Sequence, residues 1–249
     1  ARAQVGSDQP VHIQLLQWLR DVARLDLGES FVGGYPVLPE VAQRLSVTLP
    51  LTLISFVLAV AVASVVGYYA ATHAASRVGI LLVWVFALQA RVLPSGGWPR
   101  QGWGDPGDMA RSLALPVLTI VIVMSASLVR YVRSAILDVL DSDYLRHARA
   151  LGASAWVAFR RHGVRNASVP VISILGIELA STLLGAVVVE SVFSLPGLGS
   201  MLTRAITQHD YPSIQAVLLV TTLLVLVIGF LADIVQRIID PRLRASLSG

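Results

Sequence analysis

Apolar side chains fall along this chain in runs of membrane length. Residues 47–71, 167–189 and 216–232 are nearly unbroken apolar stretches, and crossing a hydrocarbon core of roughly 30 Å takes about 20 helical residues. Residues 113–129 form a fourth run, slightly short but completed by its flanks. Each predicts a transmembrane helix, because only helices and closed barrels satisfy every backbone group in lipid. A further run, 78–90, holds about a dozen apolar residues before Gln89 and Arg91 intrude, too few to span. The reading is a longer span that lacks its middle between Val83 and Ala87, with a re-entrant helix as the alternative.

The segments between the runs carry other periods. Val11, Leu15, Leu16, Leu19 and Val22 share one helical face, with Arg20 and Asp21 off it. Gly33-Gly34 and Pro36 then break the chain. Turn residues from Pro94 to Gly107 predict a loop. Between the runs 113–129 and 167–189 lies Asp143-Tyr144-Leu145-Arg146-His147-Ala148-Arg149-Ala150-Leu151-Gly152-Ala153-Ser154. It reads as a helix of about two turns, too short to be stable alone in water. Ser142 or Asp143 can cap its start, and Gly152 stands where a left-handed residue would end it. Tyr144, Ala148 and Leu151 line one face, with Arg146 and Arg149 elsewhere, the pattern of a helix laid in a partner's groove. Ser154 can cap a second helix running through Ala155-Trp156-Val157-Ala158-Phe159.

Composition supports the membrane reading: 55% of residues are hydrophobic, 14% are charged and mean hydropathy is +0.72. The net charge of +4 rests on arginine alone, for the chain has no lysine. Those arginines gather at the ends of apolar runs rather than on one solvated face interleaved with aromatics, so nucleic acid is not an expected partner. With residues 143–165 in the cytoplasm, Arg77, Arg130, Arg133, Arg146, Arg149, Arg160, Arg161, Arg165, Arg237, Arg242 and Arg244 lie on that side, eleven of nineteen. Residues 1–46, 91–111 and 190–215 then lie outside.

No residue pattern predicts catalysis. A Walker A loop requires lysine, the five histidines have no metal-ligand spacing, and Ser200 with His209 has no acid partner in a telling position. Absence of cysteine removes thiolate metal sites and disulfides. Glu178 lies in the middle of an apolar run, where an ionisable group is costly and should face protein or a water-filled path. Either it lines a pathway or it hydrogen-bonds a neighbouring helix. Glu190, at the end of the same run, either fixes the following Phe193-Ser194-Leu195-Pro196-Gly197 turn or touches substrate. Gly176 with Ala180, and Ser181 with Gly185, have the small-residue spacing of close helix contacts.

The 143–154 block resembles the cytoplasmic "EAA" loop of ABC-importer permeases, in the wording of the dipeptide/oligopeptide/nickel branch. Its continuation Arg161-His162-Gly163-Val164-Arg165-Asn166-Ala167-Ser168-Val169-Pro170 does too. The likeness extends to Gly185-Ala186-Val187-Val188-Val189-Glu190-Ser191-Val192-Phe193, Pro196-Gly197-Leu198-Gly199, Asp210-Tyr211-Pro212 and Asp240-Pro241-Arg242. It also takes in Asp26-Leu27-Gly28-Glu29-Ser30 with Pro36-Val37, where Leu25 replaces the family's first glycine.

The resemblance implies an all-α, polytopic helical bundle of the type I importer kind, with about five spans here of an expected six. Residues 1–46 would be an extracytoplasmic segment whose preceding span is missing. Residues 47–239 would be the permease domain, with a coupling loop at 134–166, and 240–249 a cytoplasmic tail. Asp143, Tyr144, Arg146, Ala148, Arg149, Leu151, Gly152, Ala153 and Ser154 would engage an ATPase, while Glu178, Glu190 and Phe193 are pathway or gate candidates. The chain would bind no cofactor itself, ATP and Mg being held by partner ATPase subunits. Expected partners are a second permease, two ATPases, an extracytoplasmic solute-binding protein and lipid, in a bacterial inner membrane. The solute would be a peptide or related small molecule; the alternative is an ion-coupled secondary transporter using Glu178.

Overall fold

A computed structural model describes residues 10–72, 104 and 106–239. Helices dominate: α1 (Val11–Ala23), α2 (Val37–Thr72), α3 (Pro106–Leu140), α4 (Asp143–Ala150), α5 (Ala155–Ala158), α6 (Val164–Val192), α7 (Leu198–Gln208) and α8 (Tyr211–Ile239). Four of them, α2, α3, α6 and α8, are long and apolar enough to cross a membrane, with mean hydropathies of 2.1 to 2.7 over their most apolar windows. They contain the four long apolar runs. The short run 78–90 and the expected break within it lie outside the described residues.

Burial ranks these helices. Of its apolar window α3 buries 56%, against 11% for α8, so α3 is the bundle's axis and α8 a peripheral helix. The core joins Leu51, Ala59 and Ala63 of α2 to Leu128, Val132 and Ile136 of α3 and Ala167 and Ala186 of α6. In lipid no hydrophobic force pulls helices together, so small residues that permit close approach matter. Gly176 abuts Ala232 of α8, where an added Cβ would stand 2.5 Å from the alanine Cβ. Its contact is therefore across helices to α8, and Gly185 has open space beside it.

One element departs from its apolar pattern. α2 starts at Val37, ten residues before its apolar run, because Glu40 and Arg44 form an i,i+4 ion pair at 2.5 Å while Val37 and Val41 bury in a second cluster with Leu198, Met201 and Val217. α5 does not stop before the next span: a π-turn, Phe159–Gly163, carries it directly into α6. At α1 the predicted apolar face stays largely uncovered, Leu15, Leu16 and Leu19 being 55%, 64% and 48% exposed.

Four helices, α1, α4, α6 and α7, end alike. In each, an amide just past the helix returns to a carbonyl five residues back: Asp26 to Asp21, Ala153 to Ala148, Leu195 to Glu190 and Asp210 to Ala205. The intervening residue must turn left-handed, and Leu25, Gly152, Ser194 and His209 do so, with φ of 61°, 94°, 53° and 54°.

Candidate functional site

The segment read as a coupling element forms helix α4 as expected, and Gly152 ends it. Gly152 N–H donates to the Arg149 carbonyl at 3.0 Å and Ala153 N–H to that of Ala148 at 3.2 Å. No neighbouring element lies within 4 Å of where a Gly152 Cβ would be, so what favours glycine there is its φ of 94° alone. At the start, Ser142 occupies the cap position, but its hydroxyl turns back onto the Val139 carbonyl and caps nothing. Asp143 is fully exposed, 3.9 Å from Arg146. Ser154 does cap α5, accepting from Val157 N–H at 3.4 Å.

Leu145 anchors α4. It is 0% exposed and belongs to the main core, with Ala148 packed partly against it. Sequence reasoning missed this residue by following the stripe of Tyr144, Ala148 and Leu151. Of that stripe, Tyr144 is 40% and Leu151 84% exposed, while Arg146, Arg149, Gly152 and Ser154 are also exposed and Ala153 half-buried. One polar tie binds α4 to α6: Asn166 Nδ2 donates to the Tyr144 hydroxyl at 3.0 Å. Just beyond, Trp156 and Phe159 pack on Tyr68 of α2, with ring centroids 5.0 and 5.4 Å away. The segment is thus fixed to α2, α3 and α6 and bare on its other side.

At the opposite end, Glu190 is 0% exposed. Its Oε1 accepts from the Thr48 hydroxyl at 2.7 Å and its Oε2 from Gly199 N–H at 2.7 Å. Thr48 in turn accepts from Leu198 N–H at 2.9 Å. One carboxylate therefore ties α2, α6 and the first turn of α7 together, the turn-fixing reading of the two open for Glu190. Its neighbours explain the glycines of Pro196-Gly197-Leu198-Gly199: a Cβ on Gly197 would strike the Glu190 carboxyl carbon at 2.2 Å, and one on Gly199 the Val187 Cα at 2.4 Å. Phe193 caps α6 and packs half-buried against the core.

A second lock lies beside the first. Asp210, 2% exposed, accepts from Ser30 Oγ at 2.6 Å, Ser213 Oγ at 2.7 Å and Phe31 N–H at 2.9 Å. Burial alone would raise its pKa, but hydrogen bonds from Ser30, Ser213 and the backbone outweigh it and hold the carboxyl below its ordinary value. Two motifs 180 residues apart, Asp26–Ser30 and Asp210–Pro212, meet in this contact.

Glu178 is half-buried on a cleft between α3 and α6, about 330 Å³ in volume, shared with Thr119, Ser127, Ser181 and Thr182. It is remote from both Glu190 and α4, so the candidate residues fall in three separate places: a fastened end, a mid-bundle cleft and a bare end.

Known proteins resemble this chain over most of its length. Residues 51–245 match the family "Binding-protein-dependent transport system inner membrane component". The "Probable peptide ABC transporter permease protein" of Sinorhizobium fredii is 34% identical over 262 residues, covering 98% of this chain and 83% of that protein. The "Glutathione transport system permease protein" of Salmonella typhimurium is 34% identical over 263 residues, with the same coverages of 98% and 83%. In fold, the chain is similar to an amino acid ABC transporter solved with histidines, at a TM-score of 0.56 and 21% identity over 80% of this chain and 94% of that one. The chain belongs to the family of inner membrane components of binding-protein-dependent transport systems, and is a membrane-embedded permease subunit of an ABC importer.

Proposed function

We propose that this chain forms half of the import pathway for peptides or closely related small solutes, in a bacterial cytoplasmic membrane. The names of its relatives support the cargo class. A second, similar permease would complete the pathway, a solute-binding protein would deliver cargo to the Glu190 end, and two ATPase subunits would receive α4. ATP and its magnesium would be bound by those subunits. In this reading residues 1–46 and 190–215 are extracytoplasmic, and residues 134–166 and 240–249 cytoplasmic.

The observation that carries the reading is α4 itself. Leu145 fastens it to the bundle while Tyr144 and Leu151 remain exposed, and an uncovered apolar face on a short, fixed helix suits insertion into another chain's groove. Asp143, Tyr144, Arg146, Ala148, Arg149, Leu151, Gly152, Ala153 and Ser154 would make or shape that contact. Closure of the ATPases would move α4 with α2, α3 and α6 and switch the pathway between its two openings. Glu178 and Phe193 are proposed to border the pathway, and Glu190 to hold its rim.

The test is co-purification with the ATPase pair followed by peptide uptake into proteoliposomes. Uptake is expected to require ATP, to stop with vanadate, and to be indifferent to an imposed proton or sodium gradient. Uptake driven by such a gradient without ATP would favour an ion-coupled carrier acting through Glu178.

A further inference from the structure

Glu178 is the middle residue of the 29 in α6, and Val123, across the cleft, is the middle residue of the 35 in α3. At 1.5 Å per residue Glu178 stands about 21 Å from each end of its helix, at the depth where a carboxylate is most costly to keep. Among the described residues no arginine or hydroxyl reaches that carboxylate.

The hydroxyls around it have been turned into acceptors. Thr119 gives its one proton to the Leu115 carbonyl at 2.9 Å, and Thr182 gives its own to the Glu178 carbonyl at 2.6 Å. Each keeps only lone pairs to offer the cleft. Ser127 and Ser181 can rotate to either role. The site therefore sets an unpaired carboxyl beside two fixed hydrogen-bond acceptors, and a positively charged group with several protons to donate would satisfy both. A primary ammonium has three donors and no acceptor. A divalent cation fits less well: calcium takes six to eight oxygens and magnesium a strict octahedron, whereas the cleft offers a single carboxylate.

We infer that this cleft is a station for a primary ammonium group of the transported solute, held by Glu178 and Thr119 with Ser181 beside them. The inference rests on the proposed permease function and adds the chemistry that function must recognise. Glu178 meets the solute directly, and longer solutes extend from the cleft along the pathway.

Two measurements on the whole transporter, reconstituted with its partner permease and ATPases, test it. In the first, Glu178 is modified with dicyclohexylcarbodiimide and its labelling is read by mass spectrometry. Saturating propylammonium is expected to slow labelling about tenfold, the worth of one charge-assisted hydrogen bond. Tetramethylammonium, equally charged but without an N–H, should not. Equal protection by both, protection by sodium alone, or protection by none of them overturns the inference. In the second, vanadate-sensitive uptake of trialanine is compared among wild type, Glu178→Gln and Glu178→Asp. A fall of about tenfold in the Gln variant with partial rescue by Asp supports the site. Full uptake by Glu178→Gln overturns the ammonium station alone, whereas no vanadate-sensitive uptake by the wild type removes the peptide-import reading and leaves the labelling result to judge the cleft.

Discussion

The two ends of this bundle treat polar and apolar groups in opposite ways. At the Glu190 end, two carboxylates that are 0% and 2% exposed each find donors on other elements. Leu195 and Leu198 are buried as deeply. At the α4 end one leucine is buried, one tyrosine hydroxyl is bonded, and Leu151 and Trp156 are 84% and 51% exposed. A buried charge that loses its partners is severely destabilising, so the first end tolerates little change. The second end has left its contacts unmade, which is what a surface awaiting another chain requires. The fastened end should therefore fail by unfolding, and the bare end by loss of coupling.

The largest effect is expected at the lock. Glu190→Leu leaves Gly199 N–H without an acceptor in a dry place and the Thr48 hydroxyl with only its long contact to the Arg44 carbonyl, and should cost about 3 kcal/mol of stability in detergent. Gly199→Ala should be comparable, since its Cβ meets backbone 2.4 Å away that cannot rotate aside. Glu190→Gln should be milder. Its amide oxygen can face Gly199 while its NH₂ donates to Thr48, whose proton then turns to the Arg44 carbonyl, 3.3 Å away. Thermal unfolding of the three variants checks this order. Unchanged unfolding of Glu190→Leu with transport abolished would make Glu190 a cargo contact and break the comparison.

At the other end, Gly152→Val forces a β-branched residue to a φ of 94°, a local strain of about 1–3 kcal/mol. The bundle core is untouched and the end of α4 can fray to relieve the strain, so the unfolding temperature should fall by only a few degrees. Because α4 would overrun or end in another direction, Tyr144, Ala148 and Leu151 would meet the ATPase out of register. Substrate-stimulated ATP turnover and uptake should both be lost from a complex that still assembles. Uptake at the normal rate would show that α4 is not the coupling element.

Asp210 sharpens the contrast through pH. Its carboxyl is held below the ordinary value of about 3.9, so its bonds contribute fully above that pH and are lost as pH falls through the lower native pKa. Asp210→Asn should be less stable than wild type by about 1–2 kcal/mol near neutrality. Below about pH 4 the difference should shrink. A gap that stays constant into acid would mean that the carboxylate's charge contributes nothing to this lock.

Legibility in the sequence differed between the same two ends. The four spans were readable because apolar length is a local property, and Gly152 because a helix stop is one too. Leu145 was not: a two-turn helix with apolar residues on both sides does not declare which side its own bundle covers. The first ten residues of α2 hid behind Glu40 and Arg44, whose i,i+4 spacing was the available signal. The locks were beyond reach, since Thr48 with Glu190 and Ser30 with Asp210 pair across 142 and 180 positions, and no period relates residues that far apart. Glu178 stands out in the sequence by its depth alone, and the acceptor character of its cleft lies in the hydrogen bonds of Thr119 and Thr182, which the sequence does not display.

The smallest expected effect tests whether the shared helix ending is structural at one end and functional at the other. Leu25 closes α1 with the bonding that Gly152 gives α4: its N–H donates to the Val22 carbonyl at 2.9 Å and Asp26 N–H to that of Asp21 at 2.9 Å. It does so as a leucine at a φ of 61° that is 70% exposed. The left-handed turn costs a residue with a Cβ about 1–2 kcal/mol, and so exposed a side chain recovers little of that by packing. Leu25→Gly removes the strain but frees the unfolded chain by about 0.5–1 kcal/mol. The net is a gain of about 0.5 kcal/mol, read as a rise of roughly 1–2 °C in unfolding temperature. Transport should not change, because the shape of the turn is kept. A fall in stability would mean that Leu25 packs on something this chain alone does not supply, and α1 would then belong with α4 among the surfaces that await a partner.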